Sequence, residues 1–377
     1  MLPRYFSSVE DLIPKNKVLI IYGSRRVGKT TLLKELLKST KLKYKIDSGE
    51  NIRINQLLSS SDFKLLSEYV EGYDIVAIDE AQEINNIGIG LKILVDNHPS
   101  LKLIATGSSS FDLSQKIGEP LTGRKKTLKL FPLSQGELLK HFSPFDVKNS
   151  LSDYLIFGSY PEVITSSSTQ EKTEILDELV GSYLLKDILS LEKIRNPKVL
   201  FTLLKLLSFQ TGNLVSINEL AKQLHIDGKT VSRYLDLLEK TFIIFKIGAL
   251  SSNPRKEISK KHKYYFFDNG IRNGIIMQFA PLELRNDIGQ LWENFMVSEL
   301  FKRNSYLKLF HQMYFWRNYN GQEIDLLFEK NGILKAFEFK WKKGEGKIPL
   351  DFCKKYGNVN FTLINQFNYL EYLKLDI

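Results

Sequence analysis

The segment IIYGSRRVGKTTLL, Ile20 to Leu33, constrains this chain more than any other. The run KVLIIYG (17–23) has the apolar character of a strand, a glycine-bounded turn follows, and TTLLKELLK then spaces its leucines as a helix does. Strand, tight loop and helix in that order are what the phosphate-loop pattern G-x-x-x-x-G-K-[ST] requires. Gly23, Gly28, Lys29 and Thr30 fill it without a gap. The glycines let the backbone amides of Ser24, Arg25, Arg26, Val27 and Thr31 turn inward around phosphate oxygens, and the helix N-terminus adds partial positive charge. Lys29 then reaches the β- and γ-phosphates and the Thr30 hydroxyl ligates Mg²⁺. Arg25 and Arg26 add charge at the loop tip, or are simply solvated.

Such a loop calls for a second strand ending in an acid. DIVAIDEAQEI (74–84) supplies it: Ile75 to Ile78 form a continuous apolar run, as in a parallel strand buried on both faces, and it ends in Asp79-Glu80. Asp79 is placed to hold the Mg²⁺, and Glu80 to polarise an attacking water as general base. LKLIATGSSS (101–110) reads as a third strand, with Thr106, Ser108 and Ser109 at its end as candidate γ-phosphate sensors. In LTGRKKTLKLFPLS (121–134), Arg124 stands just before another strand-like run. It is a candidate arginine finger acting from a neighbouring subunit, or an ordinary surface cation.

Composition narrows the rest. With 43% hydrophobic and 12% aromatic residues the chain can bury real cores, and 377 residues suffice for two or three domains. The single Cys353 excludes a disulfide framework within the chain, and five scattered His give no zinc cluster, a usage that fits a reducing cytoplasm. No apolar run approaches a membrane span, so a membrane is not an expected partner. The net charge is +10. Residues 1–150 carry 22 Lys and Arg against 17 Asp and Glu, residues 151–250 carry 11 against 12, and residues 251–377 carry 20 against 14. The basic excess at both ends is compatible with nucleic acid or with a plain lysine-rich surface.

On GSRRVGKTT, DIVAIDEAQ, ATGSSS and LTGR followed by PLS, the first ~200 residues resemble an AAA+ superfamily ATPase. The nearest likeness is a group of archaeal and bacterial ATPases with an added C-terminal domain. The resemblance implies ATP or ADP as ligand, with Mg²⁺. It also implies that GSYPEVI (158–164) opens a helical lid with Pro161 against the nucleotide, and that YLLKDIL (183–189) is a lid helix. No clear lid arginine toward the phosphates is visible. ATP rather than GTP follows from the resemblance alone.

Further on, VSINELAKQLHIDGKTVSRYLDLLEKTFIIFKI (215–247) reads as two short helices, a turn at 225–228 and a strand, the pattern of a winged helix-turn-helix. Lys229, Thr230, Ser232 and Arg233 are expected on its outer face, and Arg255, Lys256, Lys260, Lys261 and Lys263 in a basic wing. The alternative is a packing or protein-contact module.

At the C-terminal end an amphipathic helix (289–303) containing Glu293 and Glu299 precedes two strand-like runs joined by Asn331-Gly332, a hairpin signal. Asp325 shares a strand face with Glu323, and Glu338 shares one with Lys340. Asp325 and Glu338 can hold a divalent metal while Lys340 orients water, or the three are an ordinary charged hairpin. These residues resemble the PD-(D/E)xK nuclease fold, with Glu293 as its helix carboxylate, although Ile324 stands where the literal proline would.

The expected fold class is therefore α/β. A doubly wound parallel-sheet P-loop domain (1–150) with a helical lid (151–200) is followed by a winged helix (201–270) and a small α/β nuclease-like domain (271–377). The expected function is Mg²⁺-dependent ATP binding and hydrolysis coupled to DNA engagement, with a metal-dependent nuclease activity as its extension. The alternative is an ATP-switched DNA- or protein-binding regulator whose nuclease-like domain is inactive. Self-association through the ATPase domain is implied if Arg124 acts in trans.

Overall fold

The computed structural model describes residues 2, 4–108, 120–184 (182–184 as backbone), 196–251, 262–357 and 359–375. Two sheets organise them. The first contains β1 (Val18–Tyr22), β2 (Tyr44–Ser48), β3 (Ile75–Asp79), β4 (Lys102–Gly107) and β5 (Lys125–Lys129), all parallel, in the order β2-β3-β4-β1-β5. Parallel strands need crossovers, and the helices Lys29–Ser39 and Ile87–Asn97 supply two of them. The continuous apolar runs follow from burial on both faces: Leu19 and Ile21 of β1 point into one core, Val18 and Ile20 into another.

The second sheet has seven strands, β6 (Leu214–Val215), β7 (Ile244–Ala249), β8 (His262–Phe266), β9 (Gln312–Arg317), β10 (Glu323–Lys330), β11 (Ile333–Phe339) and β12 (Asn360–Ile364), in the order β12-β11-β10-β9-β7-β8-β6. Its two halves join where β7 runs parallel to β9, with Gly248 opposite Tyr314 and Ala249 opposite Phe315. One sheet therefore crosses the boundary expected at residue 270. The β10–β11 hairpin turns at Asn331-Gly332, both with positive φ (54° and 80°), as a tight two-residue turn requires.

On the inner half of this sheet lie the helices Ile217–Leu224 and Gly228–Lys240. Ser216 caps the first and Asp227 the second, His225 ends the first in the left-handed conformation, and Leu220, Leu224, Val231, Leu235 and Leu238 are buried between them. The helix Ile288–Tyr306 differs from its sequence reading. It is not amphipathic but buried on nearly every side, and Glu299 is among its buried residues.

That burial has a reason. Glu299 accepts from the Gln135 amide (2.6 Å) and from Lys302 (2.8 Å), tying the C-terminal helix to the segment that follows β5. Both side chains of the pair are 2% exposed. Removing one partner strands a charge in a low-dielectric interior. Lys302→Met should therefore lower the unfolding free energy by about 3–5 kcal/mol. Adding Glu299→Gln should recover part of the loss, as read from urea unfolding of both variants.

Candidate functional site

The loop after β1 has the shape its residues dictate. A Cβ on Gly23 would lie 2.0 Å from the Leu130 carbonyl oxygen, so only glycine lets the loop leave the sheet here. Gly28, with φ 91°, caps the helix Lys29–Ser39 in the left-handed region, where glycine carries no steric cost. Val27 is fully buried and anchors the loop from below. Lys29 is 5% exposed, and its ammonium donates to the carbonyls of Gly23 (3.1 Å) and Ser24 (2.9 Å), at the centre of the loop.

From there a chain of polar contacts crosses the ends of three strands. The Thr30 hydroxyl donates to Asp79 Oδ2 (2.8 Å). The Thr106 hydroxyl, on β4, donates to Asp79 Oδ1 and accepts from the Glu80 amide (3.1 Å). The strand order explains this, since β4 lies between β1 and β3 and so places Thr106 between the loop and the acid. Glu80 sits in the left-handed region (φ 49°), and its carboxylate accepts from Gln82 Nε2 (2.5 Å). Glu80, Lys29, Thr30, Thr31, Arg25 and Pro161 line one open cleft. A half-buried hydroxyl–carboxylate pair beside a buried ammonium, at a glycine-bounded loop that opens on a cleft, fits Mg²⁺ and a nucleotide phosphate chain.

The helical segment after β5 meets the same loop. Pro161 heads the helix Pro161–Thr165, and its ring lies 4.0 Å from a Cβ placed on Gly28. Arg26 (φ 58°) donates to Glu162 (3.2 Å) and to both carboxylate oxygens of Glu178 (2.9 and 3.0 Å), and Tyr160 donates its hydroxyl proton to Ser24 Oγ (3.0 Å). Tyr160, Gln82, Glu162 and Glu178 are contacts that motif reading missed. Tyr160, Glu162 and Gln82 adjoin recognised motif residues, whereas Glu178 carries no local signal.

Not every expected residue joins this set. Ser108 is buried just past β4 without reaching Asp79, and Ser109 lies outside the described residues. Arg124 precedes β5, where its carbonyl accepts from the Val18 amide (2.8 Å), at the opposite end of the sheet from the loop; its guanidinium holds Asp96 (2.5 Å). Most of YLLKDIL, together with Arg255, Lys256, Lys260 and Lys261, also lies outside the described residues.

Residues 15–139 match the family model described as an AAA domain. Residues 148–282 and 288–363 match two models each described as a domain of unknown function, DUF8612 and DUF4143. An uncharacterized protein of Mycobacterium tuberculosis is 28% identical over 328 residues, covering 86% of this chain and 70% of its own length. One from Methanocaldococcus jannaschii is 27% identical over 387 residues, covering 94% and 82%. Among solved structures, the Walker-type ATPase of Pyrococcus abyssi aligns over 72% of this chain and 98% of its own, at 16% identity and a TM-score of 0.46. Residues 15–139 thus resemble an AAA domain, in keeping with the phosphate-loop geometry of β1 and the helix after it. Among the described residues no helix is long and apolar enough to cross a membrane.

The C-terminal sheet gathers a second polar cluster. Leu326 pairs with Phe337, so one step further along Asp325 faces Glu338, and Asp325 Oδ2 accepts from the Phe339 amide (2.8 Å). Lys340 donates to Glu338 (2.8 Å). Lys263 requires a correction. It is not a wing cation but lies on β8, 2% exposed, with its ammonium on Glu293 (3.0 Å) and on Glu323. The Tyr265 hydroxyl also donates to Glu293 (2.8 Å). The donor set does not fit a divalent ion: no three acids converge among the described residues, and Lys263 and Lys340 already balance the charge of Glu293, Glu323 and Glu338.

Burial, and then the nearby Glu293, push the Asp325 carboxyl up to about 7, against the Phe339 amide and Lys263, which pull it down. The folded protein thus holds this proton more tightly than the unfolded chain does. The contribution of Asp325 to stability should fall as pH rises from about 4 to about 7 and stay level above that. Urea midpoints of the native protein and Asp325→Asn, compared across that window, should diverge with this slope.

Proposed function

We propose that this protein binds ATP and Mg²⁺ on the loop Gly23–Thr31 and hydrolyses the ATP to ADP, using nucleotide state to control a nucleic-acid-engaging surface in the rest of the chain. The observation that carries the reading is the polar chain from Thr30 through Asp79 and Thr106 to Glu80, beside the buried Lys29. The Lys29 ammonium exchanges its bonds to the Gly23 and Ser24 carbonyls for phosphate oxygens. Thr30 and Asp79 would hold the Mg²⁺, which would supply charge neutralisation on the phosphates. Glu80 takes the proton of the attacking water; its contact with Gln82 holds the carboxylate at the cleft until water and nucleotide are in place.

Arg25, Arg26 and Ser108 complete the phosphate surroundings, and Pro161 packs beside the nucleotide. Because Arg26 is bound to Glu162 and Glu178, a phosphate chain that attracts it also loosens the lid. Arg124 acts on a neighbouring copy, since it lies at the opposite end of the sheet from its own loop.

The DNA-engaging surface is the winged-helix portion. Lys229 and Arg233 are exposed on the helix Gly228–Lys240, whereas the Thr230 and Ser232 hydroxyls are engaged by Asp227 and by the Gly228 carbonyl. Phosphate contact from these cations predicts salt-sensitive binding without strong base readout. The engagement of Glu293, Glu323 and Glu338 by lysines favours the regulator reading, with an inactive nuclease-like domain, over the nuclease one.

Steady-state ATP turnover with Mg²⁺, with and without duplex DNA, tests the proposal. Lys29→Ala should lose nucleotide binding. Glu80→Gln should keep it while turnover falls by about 10²–10⁴. DNA should raise native turnover at low salt, and the effect should fade as salt rises. Turnover that survives Glu80→Gln unchanged would remove the assigned base.

A further inference from the structure

The C-terminal sheet places a lysine where the nuclease-type arrangement would place a metal ion. Glu293 arrives from the buried helix Ile288–Tyr306, Glu323 and Asp325 from β10, and Glu338 from β11. Lys263 reaches Glu293 and Glu323 from β8, a strand contributed by the other half of the sheet. The sequence pattern alone suggests an unpaired carboxylate cage, because Lys263 is 30 residues from Glu293 and belongs to a different apparent module.

Charge and the placement of the acids both weigh against an added ion. Lys263 and Arg317 approach Glu323, Lys263 and Tyr265 approach Glu293, and Lys340 approaches Glu338. A divalent cation needs several carboxylate oxygens converging on one point at about 2.0–2.6 Å, and no three acids among the described residues converge in that way. It would also stand against an ammonium that cannot swing away into solvent. Lys263 is 2% exposed, its ammonium lies 5.6 Å from the Phe315 ring, and its backbone is paired with Leu214 on one side and Ile247 on the other. A surface lysine could yield to a metal. One built into the middle of a sheet cannot do so without leaving a buried charge unpaired.

We propose that Lys263 is the resident cation of this carboxylate cluster, standing in the place of a divalent metal, so that the C-terminal sheet is a metal-independent scaffold. Lys263 then ties β8 to β10 and to the helix Ile288–Tyr306. Phe267, just past β8, stacks on Phe131 (5.3 Å) beside the ATPase sheet, so the lysine lies on the route between the nucleotide domain and the outer hairpin. The inference does not depend on the ATPase reading.

Manganese binding to the full chain tests it, with free Mn²⁺ followed by its paramagnetic resonance signal. The nucleotide-free protein should carry Thr30→Val and Asp79→Asn, which remove the ATPase-side oxygens. This parent should bind no Mn²⁺ that is lost on adding Asp325→Asn. Lys263→Met in the same background should gain one ion, at least tenfold tighter than any parent binding, and should lose it again with Glu323→Gln. Mn²⁺ should also raise the melting temperature of the Lys263→Met protein and not that of the parent. Parent binding that Asp325→Asn abolishes would overturn the proposal, as would a folded Lys263→Met protein that gains no ion. If Lys263→Met fails to fold, the parent comparison with Asp325→Asn decides alone.

Discussion

Everything in this molecule hangs on one seam, where the segment leaving β5 meets the second sheet. Both backbone groups of Phe131 are taken: its carbonyl accepts from Arg4 (2.6 Å), and its amide donates to the Tyr306 hydroxyl (3.2 Å). Its ring stacks on Phe267 and meets Phe301 and Tyr306 edge-on or tilted. Aromatic burial of this kind supplies much of a core's free energy, and the buried hydrogen bonds fix one geometry for it. Because Leu130 beside it crowds Gly23, the seam lies directly beneath the phosphate loop.

The seam continues through polar contacts that cross between the sheets. Asp268 is fully buried, and its carboxylate accepts from the Ser159 amide (2.7 Å), next to Gly158, where a Cβ would lie 1.9 Å from its oxygen. Burial raises the pKa of Asp268 despite the opposing pull of Lys302. Asn273 donates to the Leu155 and Ile156 carbonyls. The helices that follow the first sheet are therefore held from behind by the second sheet and its helices while Tyr160 and Pro161 touch the phosphate loop from the front. A change of ligand at the loop has a short and well-packed route to the second sheet. Coupling along that route requires a second arrangement of the same contacts.

The two polar clusters show how differently similar residues can be deployed. At the phosphate loop the carboxylates of Asp79 and Glu80 face hydroxyls and an amide, neutral partners that leave their charge available to a cation. In the C-terminal sheet, three of the four carboxylates face lysines. The first arrangement sets carboxylates against neutral groups, and the second balances them with ammonium groups. Counting acids in the sequence would treat them as equals.

Local chemistry determined the first cluster. A left-handed Gly28, an uninterrupted apolar β3 and an acid at its end are properties of short segments, and each is legible because backbone sterics and two-sided burial act residue by residue. The paired helices at 217–240 and the Asn331-Gly332 hairpin were legible for the same reason. The tertiary structure alone decided that β7 would pair with β9, that the helix carrying Glu299 would be buried on nearly every side, and that Arg124 would lie at the far end of the sheet from its own loop. It alone placed Lys263 among Glu293 and Glu323. Those outcomes depend on which distant segments share a low-dielectric interior. A lysine written in a basic stretch reads as a surface charge until the fold supplies the carboxylates that make its burial tolerable.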